Sequence, residues 1–308
     1  MSNVLLERRR KLLALGEAQP IDYTMVPFTL VALENAQLKI EETNANHSLN
    51  NVYINVNKGG ITSAQFDVLI SFSAGDRIEI YGDGAWSVGG SKGLTFVMLD
   101  ADGNYADDRP LFDAYGNIMS LYYNQNFIGQ TSVPAYAFTY IFSDADLGDI
   151  SGIRIPATSV GAMALAYTFE YNSFLNGYIE LPAMTLGNEC YEYMFHYCTS
   201  LTTPPLLPAT TLKTRCYQYM FAYCSSLETA PVLPATTLAS SCYTYMFRNC
   251  SSLNYVKAMF TTMLTAATSG WLTRVASTGT FVKNTAATWT TTGTSGVPSG
   301  WTVEYASE

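Results

Sequence analysis

A repeat of 26 residues is the feature that most constrains what this chain can fold into. The triplet Leu-Pro-Ala begins at Leu181, Leu207 and Leu233, so that successive copies are 26 residues apart. Other positions keep the same step, namely Cys190, Cys216 and Cys242, Phe195, Phe221 and Phe247, and Cys198, Cys224 and Cys250. A fixed period of this size is typical of solenoids, in which each repeat buries its apolar face against the next. We therefore predict that the centre of the chain is a solenoid.

Each copy combines a segment of helical spacing with a short extended segment. In Cys190–Leu201 the apolar side chains share one face of a helical wheel, and positions 192 and 196 fall on the opposite face. Positions 192 and 196 also vary between copies, which indicates that they pack against nothing. We predict a short helix or 3₁₀ segment here. Leu201, Pro204 and Leu206 follow with the L-x-x-L-x-L spacing of a leucine-rich-repeat strand.

These residues carry a resemblance to a known family. The motif F-x-x-C-x-x-L at 195–201, followed by a short strand and Leu207-Pro208, resembles the BspA-like leucine-rich-repeat family. The repeat variant found here is similar to repeats common in gut Bacteroidales and their phages, and residues 115–121 and 297–301 resemble the flanks of such proteins. One departure is Tyr-Met before the phenylalanine in place of alanine, which changes packing. The resemblance implies a leucine-rich-repeat solenoid from about residue 110 onwards.

The residues before the repeats show two other patterns. Residues 1–17 mix apolar and basic side chains and are predicted to form a helix that anchors the chain to a partner, with a frayed terminus as the alternative. The candidate attachment residues are Leu5, Arg8, Arg9, Arg10, Leu12 and Leu13. Short apolar or alternating runs then begin at Phe28, Leu38, Val52, Phe66, Arg77 and Leu94. Short strands separated by turn signals are typical of an antiparallel sandwich.

We therefore predict an α+β chain in four parts. These are an N-terminal helix or anchor (1–20), an antiparallel β-sandwich (21–110), a leucine-rich-repeat solenoid with a 26-residue period (111–275) and a C-terminal β cap (276–308).

Composition narrows the classes of partner. The net charge is −9, which argues against nucleic acid, because nucleic-acid binding depends on basic surfaces. No segment has the apolar run of a secretory signal or the ~18–20 apolar residues that cross a bilayer. We thus expect no membrane partner. The 22 tyrosines suit a surface for carbohydrate or protein contact, since tyrosine joins an apolar ring to a polar tip; the alternative is that they fill the solenoid core.

The cysteines and one acidic turn are the candidates for redox or metal chemistry. All six cysteines lie in the three repeats and should form two columns of free buried thiols, with disulfides or a metal site as alternatives. Asp100, Asp102 and Asn104 have oxygen spacing suited to calcium. The glycine and glutamate of an EF-hand loop are missing, however, and a plain acidic turn is the alternative. No cofactor is expected.

Catalytic motifs are scarce in this sequence. The chain has two histidines, His47 and His196. Catalytic triads and histidine–metal centres both need histidine, so the sequence offers few residues for either kind of site. It has no phosphate-binding loop and no nucleophile elbow. Paired carboxylates could serve a glycosidase, but the acids are scattered over loops. We predict that the protein is not an enzyme.

The candidate binding residues lie on two predicted surfaces of the repeats. The outer helix face carries Glu192, His196 and Arg248. The strand face carries Thr203, Thr229, Tyr255 and Lys257, flanked by Tyr193, Tyr219 and Tyr245. Solenoids often bind partners along an extended repeat surface.

The functional hypothesis combines these features. We predict a non-enzymatic phage virion protein, either a fibre or a decoration of the capsid or tail, that is synthesised in the host cytoplasm. Its repeats would bind a host glycan or surface protein, and residues 1–17 would attach it to another virion protein, with a homotrimer as a compatible assembly. The alternatives are a bacterial cell-surface adhesin whose leader is absent and an intracellular interaction module.

Overall fold

A computed structural model describes residues 22–42, 52–84, 87–88, 91–92, 94–105 and 110–306. The predicted N-terminal helix and its attachment residues Leu5, Arg8, Arg9, Arg10, Leu12 and Leu13 lie outside this described part. Within it, no helix has the length and apolar character needed to cross a membrane.

The first half of the described chain builds two β-sheets around one core. In spatial order, the strands of the larger sheet are β12 (Gly152–Arg154), β10 (Phe112–Asn117), β1 (Thr29–Ala32), β6 (Arg77–Gly82), β3 (Val52–Val56) and β4 (Thr62–Ser63). Those of the smaller sheet are β5 (Ile70–Phe72), β2 (Ala36–Glu42) and β9 (Leu94–Asp100). A separate hairpin pairs β7 (Ser87–Val88) with β8 (Ser91–Lys92). All of these pairs are antiparallel except β10–β12.

Most of the predicted strands of this region are confirmed. Those beginning near Phe28, Leu38, Val52, Arg77 and Leu94 appear with small shifts at their ends. The run that begins at Phe66 is shorter than predicted, because the backbone at residue 67 is left-handed (φ 58°) and forms a turn. Residues of both sheets enter one core, among them Leu30, Ile80 and Phe96.

The second half of the chain is a β-solenoid of about seven turns, so the α+β prediction is wrong. The only α-helix among the described residues is α1 (Ser120–Tyr123). Short 3₁₀ turns cover Tyr23–Met25 and Asn124–Asn126. The remaining strands are β11 (Ser132–Val133), β13 (Ser159–Val160), β14 (Thr185–Leu186), β15 (Tyr255–Ala258), β16 (Gly279–Lys283) and β17 (Trp301–Tyr305).

Hydrogen bonds explain why each repeat forms tight turns where a helix was predicted. In an α-helix every amide bonds to the carbonyl four residues earlier in the same segment. In residues 189–198 the amides alternate: those of Glu192 and Met194 donate to carbonyls three residues earlier (3.1 and 3.3 Å). Those of Tyr191 and Tyr193 donate to the next turn of the solenoid, at Cys216 and Gln218 (both 3.0 Å). About half of the backbone amides in this segment therefore donate hydrogen bonds to the neighbouring turn of the solenoid.

A left-handed residue at every fourth position makes this alternation possible. In one turn these residues are Glu189, Tyr193 and Tyr197, with φ of 58°, 56° and 62°. Such a backbone costs a residue with a side chain about 1–2 kcal/mol. The hydrogen bonds between turns and the packing of side chains must offset that cost. The left-handed conformation is therefore stable only when the repeats are stacked.

A column of phenylalanines runs through the centre of the molecule. The rings of Phe28, Phe142, Phe169, Phe195, Phe221 and Phe247 follow one another at centroid distances of 4.8, 5.7, 5.6, 5.6 and 5.7 Å. Phe28 directly precedes β1, and Phe142 lies in the first solenoid turns. The sandwich and the solenoid therefore share a continuous core.

The predicted leucine-rich-repeat strand is wrong for the first two copies. Leu206 and Val232 were expected inside, but they are 63% and 44% exposed. Pro205 and Leu207 are buried in their place. Side chains alternate along an extended segment, so that burial of residues 205 and 207 turns residue 206 outward. In the third copy Val256 and Ala258 of β15 are buried, as predicted.

Parallel strands and tryptophans complete the last turns. β15, β16 and β17 pair in parallel, which continues the coil of the solenoid. Trp271, Trp289 and Trp301 are buried, and their indole nitrogens donate to the carbonyls of Gly296, Phe260 and Ala276 at 3.0, 3.2 and 2.8 Å. Each polar tip is therefore satisfied while the rings fill the core.

The six cysteines are free and buried, in agreement with the predicted thiol columns. The thiols of Cys198, Cys224 and Cys250 each donate to a carbonyl of the preceding turn, at Phe169, Phe195 and Phe221 (3.1, 3.1 and 3.0 Å). Burial raises the pKa of every one of the six thiols.

We expect an aromatic disulfide reagent at pH 8 to leave the native protein almost unlabelled, because thiolate is the reactive form and burial disfavours it. After denaturation without reductant, the same reagent should titrate all six cysteines. A count of four or two in the denatured protein would contradict the free-thiol assignment. Absorbance of the released dye provides the count, and a reduced, denatured sample is the control.

A tyrosine-lined groove as the candidate functional site

Two columns of stacked tyrosines lie side by side on the solenoid. The first column consists of Tyr140, Tyr167, Tyr193, Tyr219 and Tyr245, with ring centroids 4.3, 4.8, 4.5 and 4.8 Å apart. The second column consists of Tyr171, Tyr197 and Tyr223, with centroids 5.1 and 4.1 Å apart. All eight residues have a left-handed backbone, with φ between 54° and 66°. Since left-handed residues recur every four positions, the same turn supplies one ring to each column.

Stacking determines what the tyrosines offer to a ligand. Within a column the rings cover each other's faces, so a ligand meets ring edges and hydroxyl groups. The hydroxyl of Tyr193 interacts electrostatically with that of Tyr219, and the hydroxyl of Tyr197 interacts in the same way with that of Tyr223. Burial raises the pKa of the Tyr193 hydroxyl, and its neighbours Tyr219 and Glu192 raise it further. The columns thus present neutral hydroxyls as paired donors and acceptors.

A row of side chains lies between the two columns at positions 170, 196, 222 and 248, which are occupied by Glu, His, Ala and Arg. The imidazole of His196 contacts tyrosine rings of both columns edge-on, with centroids 4.9 Å from Tyr193 and 4.6 Å from Tyr197. Its Nδ1 lies 2.9 Å from Oε1 of Glu170, and both side chains are about nine-tenths buried. A carboxylate only accepts, so Nδ1–H donates and Nε2 of His196 remains for another contact.

The groove between the columns measures about 290 Å³. Its walls, floor and end are formed by Tyr171, Tyr193, His196, Tyr197, Tyr219, Tyr223 and Arg248. Ala222, which stands between His196 and Arg248 in the row, is fully buried and is not among the residues that line the groove. At the end, the guanidinium of Arg248 lies over the ring of Tyr245, 5.1 Å from its centroid.

The structure brings together four of the predicted binding residues, namely Tyr193, Tyr219, His196 and Arg248. The expectation that Glu192 and His196 point outward is wrong, because each is only 7% exposed. Tyrosine rings surround His196, whereas a helix would have turned it to solvent. Burial raises the pKa of the Glu192 carboxyl to about 7; Glu189 adds to the rise and Arg215 opposes it.

The predicted strand face is a separate surface. Thr203 and Thr229 are exposed, and Thr229 forms a bridge to Tyr255. Tyr255 and Lys257 belong to β15, where they face Thr280 and Val282 of β16. None of these residues lines the groove. Their part in binding stays a prediction.

The calcium candidate is an acidic turn held by its own backbone. Oδ1 of Asp100 accepts hydrogen bonds from the amides of Asp102 and Asn104, both at 2.9 Å. Within the described residues, no group of three or more His, Cys, Asp or Glu side chains is arranged to hold a metal ion. Two backbone hydrogen bonds to Asp100 therefore hold this turn, and the calcium site stays a prediction.

The second tyrosine column was not among the features predicted from the sequence. Tyr171, Tyr197 and Tyr223 keep the 26-residue step, so the signal was present. Only the turn geometry shows that residues four apart form adjacent columns. A second groove of about 300 Å³ shares Tyr171 with the first groove. Position 144, which precedes Tyr171 in the second column, is an aspartate, so one face of the Tyr171 ring has no stacked tyrosine. The other residues that line the second groove are Tyr105, Asp144, Asp146, Ser173 and Phe174.

The fold and the groove define the class of this protein as a β-solenoid that carries a groove between stacked tyrosine columns. Searches against protein-family models, curated proteins and solved structures find no match for the chain. The BspA-like resemblance therefore stays a prediction from the repeat motifs.

Proposed function

We propose that this chain is a non-enzymatic binding protein whose solenoid presents the tyrosine groove to a carbohydrate. The observation that carries the proposal is the groove itself, in which hydroxyls of two tyrosine columns converge on His196 and Arg248. Sugars carry many hydroxyls, each of which is both a donor and an acceptor. Tyrosine hydroxyls have the same dual capacity, while arginine and the available ring nitrogen of histidine extend the set.

The geometry of the columns favours a chain-like ligand. Three successive solenoid turns each add one tyrosine to both columns, at spacings of 4.1 to 5.1 Å around the groove. Hydroxyl groups therefore recur along the solenoid axis, and a polymer of repeated sugar units lying along that axis would meet the same groups again. Extended repeat surfaces are how solenoids commonly engage long partners.

The biological setting is part of the proposal. A phage virion fibre or decoration protein would use the groove to bind glycans of the host surface, and a bacterial surface adhesin would use it in the same way. Attachment through residues 1–17, assembly as a homotrimer and the absence of catalysis stay predictions.

Removal of single hydroxyls tests the groove. We expect Tyr219→Phe and Tyr223→Phe to weaken binding to a polysaccharide ligand by roughly 2–10-fold each, because one net hydrogen bond contributes about 0.5–1.5 kcal/mol. Phenylalanine keeps the ring and hence the stack. A polysaccharide panel immobilised on a sensor surface identifies a ligand, and titration calorimetry then gives the affinity.

Tyr140→Phe is the matched control, since Tyr140 belongs to the first column but does not line the groove. Its affinity should equal that of the wild type, and the melting temperatures of all three variants should stay close together. If the panel yields no ligand, or if both groove variants bind as well as Tyr140→Phe, the proposed function is wrong.

A further inference from the structure

We infer that the groove takes an acidic polysaccharide and that Arg248 binds a carboxylate of the sugar. This inference rests on the proposed function and narrows its ligand class from carbohydrates in general to uronic-acid polymers.

Arg248 is held in place but its charge is not paired. Its guanidinium lies 5.1 Å from the centroid of the Tyr245 ring, which fixes the side chain at the end of the groove. Among the described residues no carboxylate lies within ion-pair distance of Arg248. Arg215, in the preceding turn, differs in this respect, since its Nη1 lies 3.2 Å from Oε1 of Glu189. A positioned and unpaired guanidinium is suited to a carboxylate from outside the chain.

Buried donors at this end of the groove also lack acceptors. Nε of Arg248 is buried without a hydrogen-bond partner among the described residues, and so is Nδ2 of the adjacent Asn249. Both atoms are donors only. The one acid of the central row, Glu170, is three turns away and already accepts from His196. The lining of the groove holds Arg248 and no carboxylate, which favours an anionic group over a cationic one.

The charge of Arg248 reaches the hydroxyls that line the groove. Burial raises the pKa of Tyr197 and Tyr219, and the positive charge of Arg248 opposes that rise in both. The chain as a whole carries a net charge of −9, so attraction of an acidic polymer must come from this local site. Guanidinium binds a planar carboxylate through two parallel hydrogen bonds, which an ammonium group does not reproduce.

The experiment compares acidic polymers with their own neutral forms. The probes are polygalacturonate, alginate and hyaluronate, each beside the same polymer after chemical reduction of its carboxyl groups. We expect the wild type to bind at least one acidic polymer about tenfold more tightly than its reduced form, in line with a charge-assisted contact. Arg248→Gln should make the affinities for the acidic and the reduced polymer equal, and the ratio of the two affinities is the readout because Arg248 also lines the groove that meets the neutral sugar. Arg248→Lys should keep only part of the preference.

Arg215→Gln is the matched control, because it removes a solenoid arginine that already has an ion-pair partner. It should keep the full preference, and thermal melting should show that all variants are folded. Equal affinity for the acidic and reduced forms of all three polymers would overturn the inference, as would a preference that survives Arg248→Gln.

The outcomes separate this inference from the proposed function. One outcome is that the protein binds the reduced polymers, that Tyr219→Phe weakens this binding, and that the acidic forms bind no more tightly. This result would overturn the acidic ligand class and leave the proposed function standing. Tighter binding to dextran sulfate than to every carboxylate polymer would overturn the assignment of a carboxylate. A lack of binding to every acidic, sulfated and reduced polymer would overturn the inference together with the proposed function.

Discussion

Replacing Phe221 with alanine is expected to lower the free energy of unfolding by about 3–5 kcal/mol. The ring is fully buried and is stacked between Phe195 and Phe247, at centroid distances of 5.6 and 5.7 Å. Loss of the ring removes buried apolar surface and leaves a cavity between two turns that are tied to each other by backbone hydrogen bonds. The surrounding turns cannot close this cavity without breaking those bonds.

Urea denaturation followed by circular dichroism provides the measurement. Leu206→Ala is the control, because it also shortens a large apolar side chain, but one that is 63% exposed. Surface substitutions of this kind change stability by about 0.5 kcal/mol or less. A loss below about 1 kcal/mol for Phe221→Ala would show that the central phenylalanine column is placed incorrectly.

Replacing Asn172 with alanine should cost roughly 3 kcal/mol, because it leaves buried backbone groups unpaired. The side chain is fully buried; its Nδ2 donates to the carbonyl of Phe142 at 2.6 Å, and its Oδ1 accepts from the amide of Leu147 at 3.0 Å. Each buried group left without a partner costs about 1–3 kcal/mol. Asn172 lies 26 residues before Cys198, whose thiol donates to a carbonyl of the preceding turn in the same way.

Asn172→Cys is therefore the informative companion variant. A thiol should keep the bond to the Phe142 carbonyl but lose the amide of Leu147, so we expect about half the loss seen for alanine. Thermal and urea unfolding of both variants give the comparison. Equal losses for alanine and cysteine would mean that only the Leu147 contact contributes to stability.

The 26-residue repeat made the solenoid predictable from the sequence. The local backbone conformation of each solenoid turn could not be predicted in the same way. Residues four apart share a face both in a helix and in a coil with a left-handed residue at every fourth position, so the pattern of Cys190, Met194 and Cys198 fits either structure. Tyrosines rarely adopt a left-handed backbone. One clue was Gly270, which follows Tyr245 in the first column and has φ of 60°.

The same ambiguity explains what was missed at the groove. The predicted outer helix face identified His196 and Arg248 as candidates, and the flank of the predicted strand face identified Tyr193 and Tyr219. Their proximity depends on turns that place residues 193 and 197 on adjacent columns, and a helical wheel does not contain that information. The unpaired state of Arg248 likewise became visible only when its neighbours were known.

The hydrogen bonds between turns have a mechanical consequence. Because about half of the amides in each turn donate along the axis, a pulling force applied along the solenoid acts on every interface between turns at once, and the interfaces fail one at a time. Every interface has nearly the same bonds, and each turn contacts mainly its immediate neighbours. Such a coil should lengthen by release of single turns from its end, while the tyrosine columns of the remaining turns stay in register. The solenoid would then lengthen gradually under load, and the turns that remain stacked would keep the groove intact.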